Sequence, residues 1–231
     1  MLGDGLLEAL RLLVTGDEDT WSITALTLRV SLTATVIALL LGVPVGMALA
    51  LGHFRGRRLL LAAANTGMGL PPVVVGLFVT VLLWRSGPLG VFGLLYTPTA
   101  MVVAQAGIAT PVVVALTAAA LQQVDPDFLL QMRALGATRT RALGALLAEA
   151  RLPLLAAGMA GFGAVVSEVG AAQMVGGNLA GETRVLTTAA VLATSRGQFA
   201  LAIAFGIVLL VIAFGVNLAV TVAQHRQVAP R

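Results

Sequence analysis

Arg133-Ala134-Leu135-Gly136-Ala137-Thr138, followed by Arg139, Arg141, Glu149 and Arg151 and then by Leu152-Pro153, is the one long polar-containing interval in the middle of a chain that is otherwise almost continuous hydrocarbon. Its helix-forming composition predicts a short helix between two spanning segments. Its four arginines place it on the side of a membrane where positive loops are retained. A helix projecting there is what an integral membrane protein needs to receive force from a soluble partner.

The composition around that interval sets the class. The chain has 231 residues, 58% hydrophobic and only 10% charged, with a mean hydropathy of +0.99. A soluble domain carries about a quarter charged residues, so the solvent for most of these side chains is lipid. An isoelectric point of about 11.2 does not signal nucleic acid, because the arginines sit in short loops rather than along one face. Cysteine is absent and there are two histidines, His53 and His225, which excludes disulfides and argues against a metal site. The N-terminus has no basic stretch of the kind that opens a cleavable signal peptide, so the first span is expected to act as the insertion signal.

Apolar runs long enough to cross the hydrocarbon, about 20 residues of helix, occur five times, at residues 24–51, 59–84, 97–121, 153–175 and 199–223. Irregular backbone and open strands cannot face lipid, so the fold class is all-α and polytopic. The organisation expected is an outer-face segment 1–23 containing a weakly amphipathic stretch at 2–14, a membrane domain 24–223 with a coupling loop at about 125–152, and a cytoplasmic tail 224–231. With the N-terminus outside, the inner segments hold nine arginines (Arg55, Arg57, Arg58, Arg133, Arg139, Arg141, Arg151, Arg226, Arg231) and the outer ones four (Arg11, Arg85, Arg184, Arg196). That asymmetry predicts N-out, C-in.

The polar and breaking residues give the candidate sites. Pro71, Pro72 and Pro111 lie within spans and are expected to kink them, which suits gate elements and static bundles alike. Glu168 is the one acidic residue expected inside a span, about 23 Å along its helix. It reads either as a solute or proton site or, preferably, as a hydrogen-bonded partner of the adjoining turn. Gly176-Gly177-Asn178 in that turn fits a nest of N–H groups for an oxyanion or a plain connection. Arg184 and Arg196 add positive potential for steering an anion or docking an acidic partner. The string Gly158 to Gly163 is a candidate for close helix packing, since small residues let helices approach. All 14 basic residues are arginine. Without a lysine there is no standard phosphate-binding P-loop, so any ATP must be hydrolysed by another subunit.

These residues resemble a known family. Ala134-Leu135-Gly136-Ala137-Thr138 with Leu152-Pro153 is similar to the cytoplasmic coupling loop of bacterial ABC importer permeases. Thr27-Leu28-Arg29-Val30-Ser31-Leu32, Gly42-Val43-Pro44-Val45-Gly46 and Leu70-Pro71-Pro72-Val73-Val74-Val75-Gly76-Leu77 look like the type I permeases for molybdate, tungstate and sulfate. The stretch Gly161 to Ala171 and the stretch Met174 to Ala189 resemble the tungstate branch. The similarity covers about residues 20–222. Leu130-Gln131-Met132 departs from the family's Glu-Ala-Ala, and the interval from Gly136 to Pro153 is about four residues longer than usual, close to one helical turn.

The resemblance implies the membrane subunit of an ATP-driven oxyanion importer, with tungstate as the anion, in a bacterial or archaeal cytoplasmic membrane. It implies a homodimer, ABC ATPase subunits that bind ATP and Mg, and a solute-binding protein outside, with no cofactor in this chain. Arg133, Ala134, Leu135, Gly136, Ala137 and Thr138 would then contact the ATPase, and Arg184 and Arg196 the binding protein. The rival readings are a proton- or ion-coupled transporter titrating Glu168, a membrane scaffold, or an importer for molybdate or sulfate.

Overall fold

The computed structural model describes Leu7, Arg11 and residues 17–228. The expected amphipathic stretch at 2–14, apart from Leu7 and Arg11, and the last residues of the tail lie outside the described residues. Ten helices and one short 3-10 turn make up the described residues, with no strand among them.

Helix α1, Glu18–Leu51, is about 51 Å long at 1.5 Å per residue, well over a hydrocarbon thickness of about 30 Å. Asp17 caps it by accepting the Thr20 amide at 2.9 Å and the Thr20 hydroxyl at 2.5 Å. The Thr20 hydroxyl, and then its amide, hold the Asp17 carboxyl below the usual carboxylate range. Glu18 and Asp19 add negative charge where the helix dipole favours it. At the other end Arg57 reaches back, its Nε donating to the Leu49 carbonyl at 2.6 Å and its Nη2 to that of Ala50 at 3.2 Å. A cation on the last carbonyls of a helix satisfies groups that have no partner within it.

Next come α2, Arg57–Met68, and α3, Pro72–Leu83. Beyond the 3-10 turn Gly90–Phe92 lie α4, Pro98–Gln122, α5, Phe128–Ala134, and α6, Arg139–Glu149. Helices α7, Arg151–Val166, α8, Gly170–Gly176, α9, Leu186–Ser195, and α10, Phe199–Val228, complete the chain.

Helix α4 is the hub, packing chiefly on α1 and then on α7, α2, α8 and α3. Small side chains make this possible: Ala100, Ala104 and Ala109 are fully buried beside Met101 and Val113. Helix α1 approaches α4 most closely at Gly42 and Gly46, a Gly-x-x-x-Gly pair. A Cβ there would lie 2.7 Å from Val113 Cγ1 and 2.7 Å from Thr117 Cβ respectively. Tight packing thus centres on α1 and α4 rather than on the expected Gly158–Gly163 string, where Gly161 would meet Val113 at 3.1 Å, Gly158 would meet Leu39 at 3.5 Å, and Gly163 faces open space. Helix α10 rests mainly on α9 through Leu186, Ala189, Phe205 and Val208.

Three helices, α1, α4 and α10 (over 199–222), are long and apolar enough to cross a membrane, and up to five spans result if each bent pair counts as one. Two expected spans are therefore broken. The run 59–84 is two 12-residue helices meeting at 103°, because Pro71 and Pro72 lack amide donors and Leu70 is barred from helical backbone by the proline after it. The expected helix 153–175 stops at Val166 and restarts at Gly170; its upstream partner in a bent pair is α6, at 68°.

Candidate functional site

Two groups of the expected residues come together, at different places in the fold. The first is the break between α7 and α8. Glu168 lies in that break, not within a helix, and is 9% exposed. Its Oε1 accepts the Ala171 amide at 2.8 Å, so the carboxylate supplies an acceptor for the first turn of α8. The Ser167 hydroxyl donates to the Gly163 carbonyl at 2.8 Å, and the Thr187 hydroxyl of α9 donates to the Glu168 carbonyl at 2.9 Å. These bonds use the backbone groups freed where the helix is interrupted, as a broken helix in a membrane requires.

Helix α8 is seated on α3 by backbone contact. A Cβ on Gly76 would stand 2.7 Å from Ala171 Cα, and one on Gly170 would stand 2.8 Å from Val73 Cγ2. Pro71 and Pro72 open α3, and Val73 comes directly after them, so the double proline and the Glu168 break face one another. Pro111 does not join them. It sits mid-way along α4 and packs on Gly67 of α2, where a Cβ would be 2.6 Å from the proline ring.

The Gly176-Gly177-Asn178 segment ends the helix and opens the turn expected from its glycines. Gly176 closes α8, and Gly177 and Asn178 come next with φ of 73° and 55°. The Gly177 amide donates to the Gln173 carbonyl at 2.9 Å and the Leu179 amide to the Thr183 hydroxyl at 2.9 Å. The Gly177 amide is thus engaged within the turn, which removes it from an oxyanion nest. The Thr183 hydroxyl in turn donates to the Gly176 carbonyl at 2.5 Å. Arg184 clasps Asn178, with Nε on its side-chain oxygen at 3.2 Å and Nη2 on its carbonyl at 3.3 Å. Arg184 and Arg196 line one cavity of about 300 Å³ together with Asp17, Asp19, Ser22 and Gln198. Two arginines against two aspartates leave that cavity formally neutral rather than anion-attracting.

The second group is the arginine-bearing interval, at the end of the bundle where α1 finishes. The stretch Arg133 to Thr138 is not itself a helix. Arg133 and Ala134 end α5, Leu135–Ala137 form the turn, and Thr138 caps α6. Gly136 takes φ of 83°, a left-handed conformation that glycine adopts without steric cost. The Ala137 amide donates to the Met132 carbonyl and the Gly136 amide to that of Arg133, at 3.0 and 2.9 Å, a C-terminal lock of the Schellman kind. The turn presents Leu135, 82% exposed, at its tip. The longer interval from Gly136 to Pro153 is taken up by the 11 residues of α6, which Leu146 and Ala142 anchor to the bundle.

Sequence reasoning missed several residues that hold the first group: Thr27, Gly76, Thr183 and Thr187. The signal was present for Thr27, which belongs to a run of buried hydroxyls on α1 (Thr20, Thr24, Thr27, Ser31, Thr35) at helical spacing. Among the described residues no three His, Cys, Asp or Glu are placed to hold a metal ion.

The described residues thus form an α-helical membrane bundle with broken spans and one exposed helix–turn–helix at its end. The chain belongs to the family described as "Binding-protein-dependent transport system inner membrane component", which matches residues 42–229. It is 40% identical over 201 residues to the "Probable anion ABC transporter permease protein" of Haloferax volcanii, spanning 85% of this chain and 87% of that one. It is 37% identical over 219 residues to the "Tungstate uptake system permease protein TupB" of Peptoclostridium acidaminophilum, spanning 95% and 96%. The fold is shared with the inward-facing MetNI methionine ABC transporter, with a TM-score of 0.71 at 19% identity over 92% of this chain and 95% of that one. The chain is a multi-pass membrane protein of the ABC importer permease class.

Proposed function

We propose that this chain is the membrane subunit of an ATP-driven importer for tungstate, working as a homodimer with two ABC ATPase subunits and an extracytoplasmic binding protein. The observation that carries the reading is the end-to-end identity of 37% with a tungstate uptake permease. The helix–turn–helix at Gly136 supports it, because an exposed Leu135 held by a rigid turn is suited to a cleft in a soluble partner. In this reading α5 and its turn face the cytoplasm, the N-terminus and the α7–α8 break lie toward the outside, and the membrane is a bacterial or archaeal cytoplasmic one. ATP and Mg are bound by the ATPase, and its closure moves α5 and rocks the bundle. The gate comprises Pro71, Pro72, Glu168 and the Gly176-Gly177-Asn178 turn, with Pro111 supporting α2. Arg184 and Arg196 lie on the face where the binding protein docks. Tungstate and molybdate have the same charge and nearly the same size, so selectivity resides chiefly in the binding protein.

A strain lacking its own tungstate uptake, complemented with this chain and its ATPase, tests the proposal. Tungstate accumulation should be restored by wild type and abolished by Gly136→Glu. That variant should still insert, since a Cβ at Gly136 meets nothing within 4 Å and the left-handed backbone there costs a side chain only about 1–2 kcal/mol, confined to the turn. Gly136→Ala, which carries the same strain without the bulk and charge, is the control. Normal uptake by Gly136→Glu with unchanged stimulated ATPase activity would sink the coupling assignment.

A further inference from the structure

We propose that the cleft between α5, α6 and the end of α1 binds the headgroup of an acidic phospholipid. The cleft has a volume of about 220 Å³ and is lined by Arg133 and Arg139 together with leucines, among them Leu51, Leu130 and Leu143. Its only charged groups are two guanidiniums, and no carboxylate lines it. Neither guanidinium is hydrogen-bonded or ion-paired among the described residues.

The charge here is more concentrated than side chains alone indicate. Arg139 is the first residue of α6, and Arg141 lies in the same turn with no acidic residue beside them. The start of a helix is already its positive end, where anions are favoured and cations are not. Arg139 shares the cleft with Arg133 from the last turn of α5, and Arg141 adds charge in the same first turn of α6, a local conflict that one bound anion relieves. Planar guanidiniums match phosphate oxygens by paired hydrogen bonds.

The leucines decide which anion. Leu51 ends the 22-residue stretch of α1 from Val30 that carries no charged residue, about 33 Å at 1.5 Å per residue, so the cleft opens where a membrane-spanning helix leaves the hydrocarbon. Leu130 is 62% exposed beside it. A free oxyanion gains nothing from such a wall, whereas a phosphodiester carrying acyl chains covers it. The cleft is smaller than the roughly 300 Å³ at which pockets for drug-sized ligands begin, enough for a headgroup phosphate and the start of a chain while the rest stays in the bilayer. Basic pockets between helices on the cytoplasmic side of membrane proteins take anionic headgroups by this chemistry. The proposal rests on the orientation in the transport reading, which puts this end of the bundle at the cytoplasmic leaflet; loss of the lipid with tungstate uptake intact would refute it alone.

Native mass spectrometry of the purified full chain, titrated with phosphatidylglycerol or phosphatidylcholine, tests it. Wild type should hold one phosphatidylglycerol in preference to phosphatidylcholine. Arg139→Gln should weaken it about fivefold and the Arg133→Gln/Arg139→Gln double variant about 25-fold, at about 1 kcal/mol per arginine. Arg196→Gln, at the opposite end of α1, should leave it unchanged, and Leu143→Gln should weaken it without altering charge. Equal loss with Arg196→Gln would mean non-specific attraction and overturn the site. Equal binding of glycerol 1-phosphate, unaffected by Leu143→Gln, would make it a free-phosphate site and overturn the lipid. A double variant that keeps its phosphatidylglycerol but no longer co-isolates with the ATPase would assign the cleft to that partner instead.

Discussion

Replacing Gly46 by alanine adds one methyl group where α1 lies closest to α4. That Cβ would lie 2.7 Å from both Thr117 Cβ and the Val114 carbonyl oxygen, and 2.9 Å from Thr117 Cγ2. Ordinary contact begins at 3.4 Å, so α1 and α4 must part by about 0.7 Å there. No rotamer change relieves the clash, because one of the atoms is backbone and another a Cβ. Overpacking of this kind costs about 1–3 kcal/mol, offset by about 0.5–1 kcal/mol from alanine's better helix propensity. The net loss expected is about 0.5–2 kcal/mol, roughly a 2- to 30-fold shift in the folded-to-unfolded ratio. Gly163→Ala is the matched control: its Cβ would meet nothing within 4 Å, so only the propensity gain of about 0.5–1 kcal/mol remains. Equilibrium unfolding of both variants in mixed micelles, monitored by circular dichroism, measures the difference. Gly46→Ala as stable as wild type, or Gly163→Ala equally destabilised, would refute the assignment of the α1–α4 seam as the close-packed interface.

Asp17→Ala removes the cap of α1 and should cost about 1 kcal/mol. The Asp17 carboxyl titrates below its ordinary value of 3.8 in the folded state, so its contribution is complete above that value and is lost as the pH falls through the lower folded one. An acid unfolding series should show that loss in wild type and not in Asp17→Ala. Glu168→Gln keeps an oxygen for the Ala171 amide and should retain substantial uptake, whereas Glu168→Leu leaves that amide unpaired at about 1–3 kcal/mol and should impair it. Uptake should survive collapse of the proton gradient when ATP is maintained; its abolition both there and in Glu168→Gln would favour a proton-coupled carrier. A reporter fused after Arg231 should be cytoplasmic and one at the N-terminus external, and the reverse would require the coupling turn to be reassigned to the other face.

The apolar runs are sufficient to read an α-helical membrane bundle and the approximate position of every long helix, because hydrocarbon leaves the backbone few options. The breaks are less legible. Pro71, Pro72 and Pro111 look alike in the sequence, yet the pair ends a helix while Pro111 stays inside the continuous α4. The difference lies in neighbours: Pro111 has Gly67 of α2 opposite it to accept the ring, whereas α3 is held at its angle by Gly76 lying against Ala171. Both contacts join residues distant in sequence. Glu168 reads as lying within a span because Val165, Val166 and Val169 continue the apolar run, although Glu168 itself breaks the helix and caps α8. The turn at Gly136 is visible as a functional interval, but its division between two helices depends on the backbone bonds of Gly136 and Ala137. Helix α9 is not foreseeable, since ten residues, mostly Leu, Thr and Ala, after a glycine-rich turn carry no length signal.

The bond from the Leu186 amide to the Thr27 hydroxyl, 3.0 Å long across 159 residues, sets an order in time. The chain leaves the ribosome from its N-terminus, so α1 enters the bilayer long before Leu186 exists. During that interval the Thr27 hydroxyl already donates to the Ile23 carbonyl at 2.7 Å, so it waits in hydrocarbon without an orphaned proton. Helix α4 can dock on the Gly42–Gly46 face as soon as it emerges, giving an early two-helix platform. The contacts made by Thr27 and by the Glu168 carbonyl close only once α9 has arrived, so the half of the bundle around the α7–α8 break is completed last. A ribosome stalled shortly before Leu186 should therefore expose a chain whose α1–α4 seam is formed and whose α7–α8 break is still open.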